Sequence, residues 1–253
     1  MTGDTSPGTL YVVATPIGNL GDMTLRAIEV LQQVSAVYSE DTRVSRRLFN
    51  HFGIDTPLKR FDDRTSSRKI PEICTHLKTG ADIALISDAG TPTISDPGMP
   101  LVAAARADNI PVTVVPGASA AVAALSISGL PAHAYYFGSF LPRKKGKCET
   151  LLQSLDMLNA TLIFFESPHR IVTATQHLAQ LYPNRQAVIA RELTKHYEEV
   201  LRGNLEELSA ELTHRQNNNL VSTLRGEFVI LLAPLKFDGT HTDGIKDRQR
   251  QDS

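Results

Sequence analysis

Cysteine is nearly absent from this chain of 253 residues: it has two, Cys74 and Cys148, far apart and outside any metal-spaced group. Such a pair builds neither a disulfide scaffold nor a zinc cluster, so no metal is expected and a reduced, cytoplasmic setting is. Long apolar runs are missing too. None approaches the roughly 20 residues that a membrane helix requires, which excludes a membrane partner of that kind. Met1 to Pro7 hold neither basic residues nor an apolar core, so no secretory leader is expected. Charge of one sign is also lacking, since 26 Lys and Arg offset 27 Asp and Glu to leave a formal net charge of −1. A nucleic acid would therefore be met by local patches and not by a global field. Nucleotide fingerprints are absent as well: there is no G-x-G-x-x-G and no G-x-x-x-x-G-K-[ST]. Gly117-Ala118-Ser119-Ala120-Ala121 lacks the spacing of a nucleophile elbow. His169 and His177 stand too far apart to pair on one helical turn.

What is present is an ordinary globular composition, 42% hydrophobic and 21% charged, punctuated by loops rich in Gly and Pro. The stretch Leu85 to Gly98 organises the rest. It starts where the short apolar run Ile83–Ile86 predicts a buried strand and ends before a helix over Met99–Ala107. The loop between them holds Gly, Pro, Asp and Ser but few large side chains, so it is built to place backbone groups and not to fill a core. It also far exceeds the roughly 2–6 residues of an ordinary strand-to-helix turn. Two more strands end in similar loops. Leu10–Ala14 runs into Thr15-Pro16-Ile17-Gly18, and Val112–Val115 into Pro116-Gly117-Ala118-Ser119-Ala120. Strands at Ala36–Tyr38 and Leu58–Phe61, with helices from about Thr24, over Val44–Phe52 and over Ser67–Lys78, complete a strand–helix alternation that predicts a mainly parallel sheet.

A domain boundary is expected near Gly129-Leu130-Pro131, giving an N-terminal α/β domain over 8–129 and a C-terminal α/β domain over 130–235. The second half reads as strands at Tyr135–Phe137, Thr161–Phe165, Gln186–Ala190, Tyr197–Leu201 and Glu227–Ala233. Helices are expected over Glu149–Leu155, Ile171–Leu181 and Leu205–Leu212. Residues 236–253 read as a disordered polar tail. Three Gly/Pro loops after strands of one sheet would converge at its carboxyl edge, where open α/β sheets bind ligands. From the residues alone this implies a nucleotide-like cofactor held by backbone groups.

The loops T-P-I-G-N-L, S-E-D-T-R, S-D-A-G-T-P-x-I-S-D-P-G, P-G-A-S-A, F-L-P-R-K and A-R-E-L-T-K, in this order, resemble the tetrapyrrole-methylase superfamily. More narrowly, they are similar to its ribosomal RNA small subunit methyltransferase I subfamily, over roughly residues 8 to 233. The resemblance implies a two-domain α/β fold, with a mainly parallel N-terminal sheet and a mixed C-terminal one. It also implies a homodimer and S-adenosylmethionine in the interdomain cleft. The implied reaction is methyl transfer to the ribose 2′-oxygen of a cytidine in the decoding region of 16S rRNA, within the small ribosomal subunit. The cofactor loops it designates are Pro16, Ile17 and Gly18; Asp88, Ala89, Gly90, Thr91, Pro92, Ile94, Ser95 and Asp96; and Pro116, Gly117, Ala118, Ser119 and Ala120. Similar chains often continue into a small C-terminal helical module, whereas this one stops in its polar tail.

A ribose hydroxyl stays protonated near neutral pH, so the reaction needs in-line alignment and a proton acceptor. The candidates are Glu192, Lys195, Asp41 and Glu166. Lys195 would require a lowered pKa for that role. Asp41 and Glu192 each stand beside an arginine, so ion pairing is the competing role, and Glu166 could equally serve a helix start near Pro168. Arg143, Lys144, Lys145 and Lys147 form a basic loop suited to RNA phosphates, joined by Arg43, Arg170 and Arg191. Two other readings stay open: methylation of a tetrapyrrole or corrinoid intermediate, and a non-catalytic RNA-binding ribosome-assembly factor.

Overall fold

A computed structural model of the chain describes residues 6–237, and its contacts divide into two compact units between Ser119 and Ala120. The first unit alternates strands and helices. Its elements are β1 (Leu10–Val13), α1 (Leu25–Gln33), β2 (Ala36–Ser39), α2 (Thr42–Phe52), β3 (Leu58–Arg60), α3 (Asp63–Lys78), β4 (Ile83–Ile86), α4 (Met99–Ala107) and β5 (Val112–Val115). All five strands pair in parallel in the order β3-β2-β4-β1-β5. Apolar cores lie against both faces, so the central strand β4 is a short, fully buried apolar run, whereas the edge strand β3 carries Lys59 and Arg60. Tyr38, Ile83 and Leu85 belong to one core with Phe61, Ile73 and Leu101. Val37, Ala84 and Ile86 belong to the other, with Ala27, Leu31 and Phe49.

Local chemistry sets the helix starts. Thr24, Asp41 and Asp62 cap α1, α2 and α3 by accepting backbone N–H bonds. Asp62 forms a capping box with Thr65, which starts α3 at Asp63 and not at Ser67 as the sequence pattern suggested.

The second unit opens with α5 (Ala120–Ser128), followed by β6 (Tyr135–Phe140), α6 (Lys145–Leu155), β7 (Thr161–Glu166), α7 (Ile171–Leu181), β8 (Gln186–Arg191), β9 (Glu199–Asn204), α8 (Leu205–Asn217) and β10 (Phe228–Leu232). Its sheet is mixed, in the order β6-β7-β10-β8-β9, with β6 and β7 parallel and the other pairs antiparallel. Leu162, Phe164, Ile189 and Ile230 form the main core with Leu152, Ile171, Leu178 and Leu208. Phe164 is fully buried, and removing a ring of that kind costs about 3–5 kcal/mol.

Three expectations shift. The unit boundary falls before α5 and not near Gly129, because this small-residue helix packs on β7, β8 and β10. Strand β6 runs on to Phe140 through a register shift between Phe137 and Phe140, with Ser139 at φ 57°. Strand β9 starts at Glu199, since the preceding residues are folded into turns. Of the polar tail expected over 236–253, residues 238–253 lie outside the described residues.

Candidate functional site

The carboxyl ends of β4 and β5 flank that of β1, with Val13 in register with both Ile86 and Val115. The three Gly/Pro loops therefore leave neighbouring strands at one edge, and they are stitched together. Thr15 N–H donates to Gly90 O at 2.9 Å and Gly90 N–H returns a bond to Thr15 O at 3.1 Å. The Thr15 hydroxyl donates to Ser87 O, the Ser87 hydroxyl to Gly90 O, and the Thr91 hydroxyl to Ala118 O. Pro16, Ile17, Gly90 and Pro92 are buried by this stitching, while Gly18, Ala89, Ile94, Ser95, Pro116 and Gly117 stay exposed. Asp88, Thr91, Asp96, Ala118, Ser119 and Ala120 lie half-buried.

The backbone of the central loop is strained. Thr93 and Ser95 both sit at φ 72°, a region that non-glycine residues, and β-branched ones above all, rarely enter. Gly98 closes the loop at φ 131°, where an added Cβ would lie 2.6 Å from Leu85 Cδ2, so only glycine fits. Strain held by a network of buried hydrogen bonds marks a loop whose shape is its purpose.

Carboxylates gather around this edge. Asp88 accepts from the Asp41 N–H at 3.1 Å, bringing the tip of β4 to the start of α2. Burial raises Asp88, and the neighbouring Asp41 charge adds to that. Burial also raises Glu40, with Asp88 contributing next. Asp96 is pushed up to about 6 by burial and by repulsion from Glu40 and Asp88. These groups repel one another, and a cation beside them would relieve that repulsion. Backbone acceptors beside a carboxylate cluster fit a ligand with a hydrogen-bonding heterocycle and positive charge. Among the described residues, no group of three or more His, Cys, Asp or Glu is placed to hold a metal ion.

The structure corrects several side-chain expectations. Asp41 caps α2 and holds Arg43 in a two-pronged ion pair, with the shortest contact at 2.6 Å. Those bonds keep its carboxyl far below the usual range, which makes it a poor base. Lys195 donates to Glu192 Oε1 and to Glu227 Oε2, each at 2.8 Å. Burial works to lower its pKa, but the two carboxylates outweigh burial and raise it, opposite to the shift a lysine base requires. Glu192 is lowered: burial is overcome by its bonds from Lys195 and from the Glu227 N–H. Arg191 is 9% exposed and is spent on Glu199, Ser222 O and Arg225 O, so its guanidinium is closed to phosphate. Glu166 is buried within β7, accepts from the Ser167 N–H, and lies 3.2 Å from Arg170. Burial raises it, against the pull of that N–H bond, Arg170 and Arg143.

The turn that carries Glu192 is itself distorted. Glu192 and Thr194 have φ 51° and 66°, and Gly226 packs so closely on Glu192 that a Cβ there would lie 2.4 Å from its Cγ. The basic stretch is less of a loop than expected, because Lys145 and Lys147 stand in the first turn of α6. Arg143, Lys144, Lys145 and Lys147 are all exposed, as is Arg43. Arg170 donates to Leu141 O at 3.1 Å and tethers this stretch to the start of α7. Sequence reasoning missed Thr15 and Ser87 as the stitches of the cofactor edge, and Glu40 as a member of the acidic group. Their positions one or two residues past a strand end were the available signal.

Comparison with known proteins agrees with this geometry. A model of the family described as Tetrapyrrole (Corrin/Porphyrin) Methylases matches residues 9–209. A protein of Micromonospora olivasterospora named "Ribosomal RNA small subunit methyltransferase I" is 48% identical over 226 residues, which are 89% of this chain and 70% of that one. One of the same name from Pseudomonas aeruginosa is 45% identical over 229 residues, 90% of this chain and 79% of the relative. In fold, the chain is similar to the crystal structure of diphthine synthase, with TM-score 0.66 at 14% identity, covering 89% of each chain. It is also similar to uroporphyrin-III C-methyltransferase from Thermus thermophilus complexed with S-adenosylhomocysteine, with TM-score 0.58 at 20% identity, covering 90% of this chain and 98% of that one.

Proposed function

Since the chain belongs to the tetrapyrrole methylase family, and within it to the small-subunit ribosomal RNA methyltransferase I group, we propose that it methylates 16S rRNA with S-adenosylmethionine, at the ribose 2′-oxygen of a cytidine in the decoding region. The observation that carries this reading is identity of 41–48% to proteins of that name, over about nine tenths of the chain. The stitched edge of the first sheet supports the cofactor. Pro16–Gly18, Asp88–Asp96 and Pro116–Ser119 supply backbone groups for a heterocycle and ribose, and Glu40, Asp88 and Asp96 supply charge opposite a cation. When bound, S-adenosylmethionine provides a methyl group already activated by its sulfonium charge.

The chain's task is then to orient the acceptor hydroxyl and take its proton. We assign the proton to the Glu192–Lys195–Glu227 cluster, whose strained turn is the mark of a functional loop. Lys195, held as an ammonium, positions and screens, and Glu227, the more exposed of its two carboxylate partners, accepts the proton. Alignment of the acceptor carries the larger share of the acceleration, because an oriented hydroxyl forgoes most of the entropy cost of encounter. Arg43, Arg143, Lys144, Lys145 and Lys147 contact the RNA backbone, and the acting form is a homodimer in the cytoplasm.

Calorimetric titration with S-adenosylmethionine, then incubation of the protein with labelled cofactor and small subunits lacking the modification, tests the reading. Cofactor binding and label at one alkali-resistant cytidine are expected. Binding without label would move the substrate toward a tetrapyrrole, and absence of binding would leave a non-catalytic assembly factor.

A further inference from the structure

The edge strand of the second sheet is irregular at one place. On β6, Phe137 pairs with Ile163 and Phe140 with Phe165, so three steps along β6 answer two along β7. One residue is inserted, a β-bulge on the free edge of the sheet. Ser139 stands in this bulge at φ 57°, a conformation that non-glycine residues rarely adopt. Beside it the backbone presses onto the core: a Cβ added at Gly138 would lie 2.3 Å from Phe164 Cε1.

The inserted residue decides where Phe140 points. Alternate side chains of an unbroken strand share a face. Phe140 would then stand opposite Phe137 and join Tyr136, which packs on the core that holds Phe164. The bulge turns it over instead, onto the face of Phe137 and Phe165. There its ring meets that of Phe165 at 5.8 Å between centroids and 71°, and Phe165 meets Phe137 at 4.9 Å and 64°. Edge-to-face contacts of this kind fix the orientation of a ring. Phe140 nevertheless stays 53% exposed, while Leu141 beside it returns to the core. A single exposed apolar side chain needs no explanation. A ring carried out of the core by a strained bulge and then braced does, since strain and exposure both work against stability.

Its surroundings point to the occupant. Arg143 and Lys144, three and four residues further on, are exposed cations suited to the phosphates of a bound strand. The Glu192–Lys195–Glu227 cluster belongs to the same sheet edge. Phe165 pairs with Val229, two residues beyond Glu227, so Phe140 stands two strand spacings, about 10 Å, from the strand that Glu227 leads. An unpaired base joins a flat apolar face to a negatively charged backbone, and RNA is read by stacking such bases on aromatic side chains.

We propose that Phe140 is a stacking platform for an unpaired base of the substrate RNA, the target cytidine or a direct neighbour. Phe165, itself held by Phe137, braces the ring, and Gly138 and Ser139 form the bulge that presents it. The platform rests on the RNA-methyltransferase reading for its ligand, and adds a contact to a base where only phosphate contacts were assigned.

Three forms of the protein decide it: the native chain, Phe140→Leu, which stays apolar but loses the flat face, and Phe140→Trp, which restores one. Each is titrated with a single-stranded decoding-region RNA across a salt series, and the Phe140 ring protons of the native chain are followed by nuclear magnetic resonance. Phe140→Leu should bind about 5- to 100-fold more weakly, and Phe140→Trp should recover the loss. The slope of log affinity against log salt should be the same in all three, because no phosphate contact is removed. The Phe140 ring resonances should move upfield, as protons facing a stacked base do. RNA made abasic at the target cytidine and its two neighbours should bind all three forms alike. Equal affinity of the native and Phe140→Leu forms for intact RNA overturns the platform, as does a loss that persists with abasic RNA. A lower mass of Phe140→Leu in sedimentation equilibrium overturns it in favour of an interface between copies. S-adenosylmethionine titration of the same samples keeps the two readings apart. Cofactor binding without stacking sinks the platform alone, and stacking without cofactor binding sinks the methyltransferase alone.

Discussion

Asp96 shows how one carboxyl reports on its neighbours. Its ordinary value of 3.8 moves up to about 6 in the folded chain, through burial and then through Glu40 and Asp88. The folded state therefore holds a proton that the unfolded chain releases, and this group's contribution to stability falls as pH rises from about 4 to about 6. Asp96→Asn cannot ionise and is free of that loss. Its urea midpoint should gain on the native protein across this window and stay level above it; parallel curves would refute the account. Saturating S-adenosylmethionine should narrow the gap, since its positive charge favours the ionised Asp96. The sequence displayed Asp88 and Asp96 as members of a cofactor loop. It did not display Glu40 as their partner, because that proximity depends on β2 lying beside β4, a pairing between strands 47 residues apart at Asp41 and Asp88.

At the scale of elements, strand alternation was legible and charge roles were not. The apolar runs marked β1, β4, β5, β7 and β10, and of these β4 and β10 are apolar throughout because they are buried on both faces. The fate of an arginine depends on what folds around it. Arg191 reads as basic and adjacent to a loop, yet at the end of β8 its side chain is 10% exposed and meets Glu199 at 3.2 Å. Glu199 is also held by Arg215 at 2.8 Å, so the three form a cluster joining β8, β9 and α8. Arg191→Ala would leave Glu199 short of a partner and two carbonyls unsatisfied, at a cost of about 3 kcal/mol. Urea unfolding should show that loss, while the salt slope of RNA binding stays as in the native protein. A reduced slope would return Arg191 to the RNA surface. Helix starts followed the same logic: Gly53 was readable as the end of α2, whereas the uncapped starts of α6 and α7 became visible only in the structure.

Across the whole molecule, a formal net charge of −1 conceals strongly local charge, acidic at the edge of the first sheet and basic at the start of α6. Composition alone therefore says little about partners here, and position says a great deal. The paired bonds between Thr15 and Gly90 carry one more consequence. They extend β-type pairing beyond the sheet into segments whose Gly and Pro content is that of mobile connections. In deuterated solvent, the amide hydrogens of Thr15 and Gly90 should exchange on the timescale of the neighbouring strand interiors, far more slowly than those of exposed turns. The edge proposed to receive the cofactor would then open only when the sheet does, so that a ligand arrives at a surface already set in its final shape.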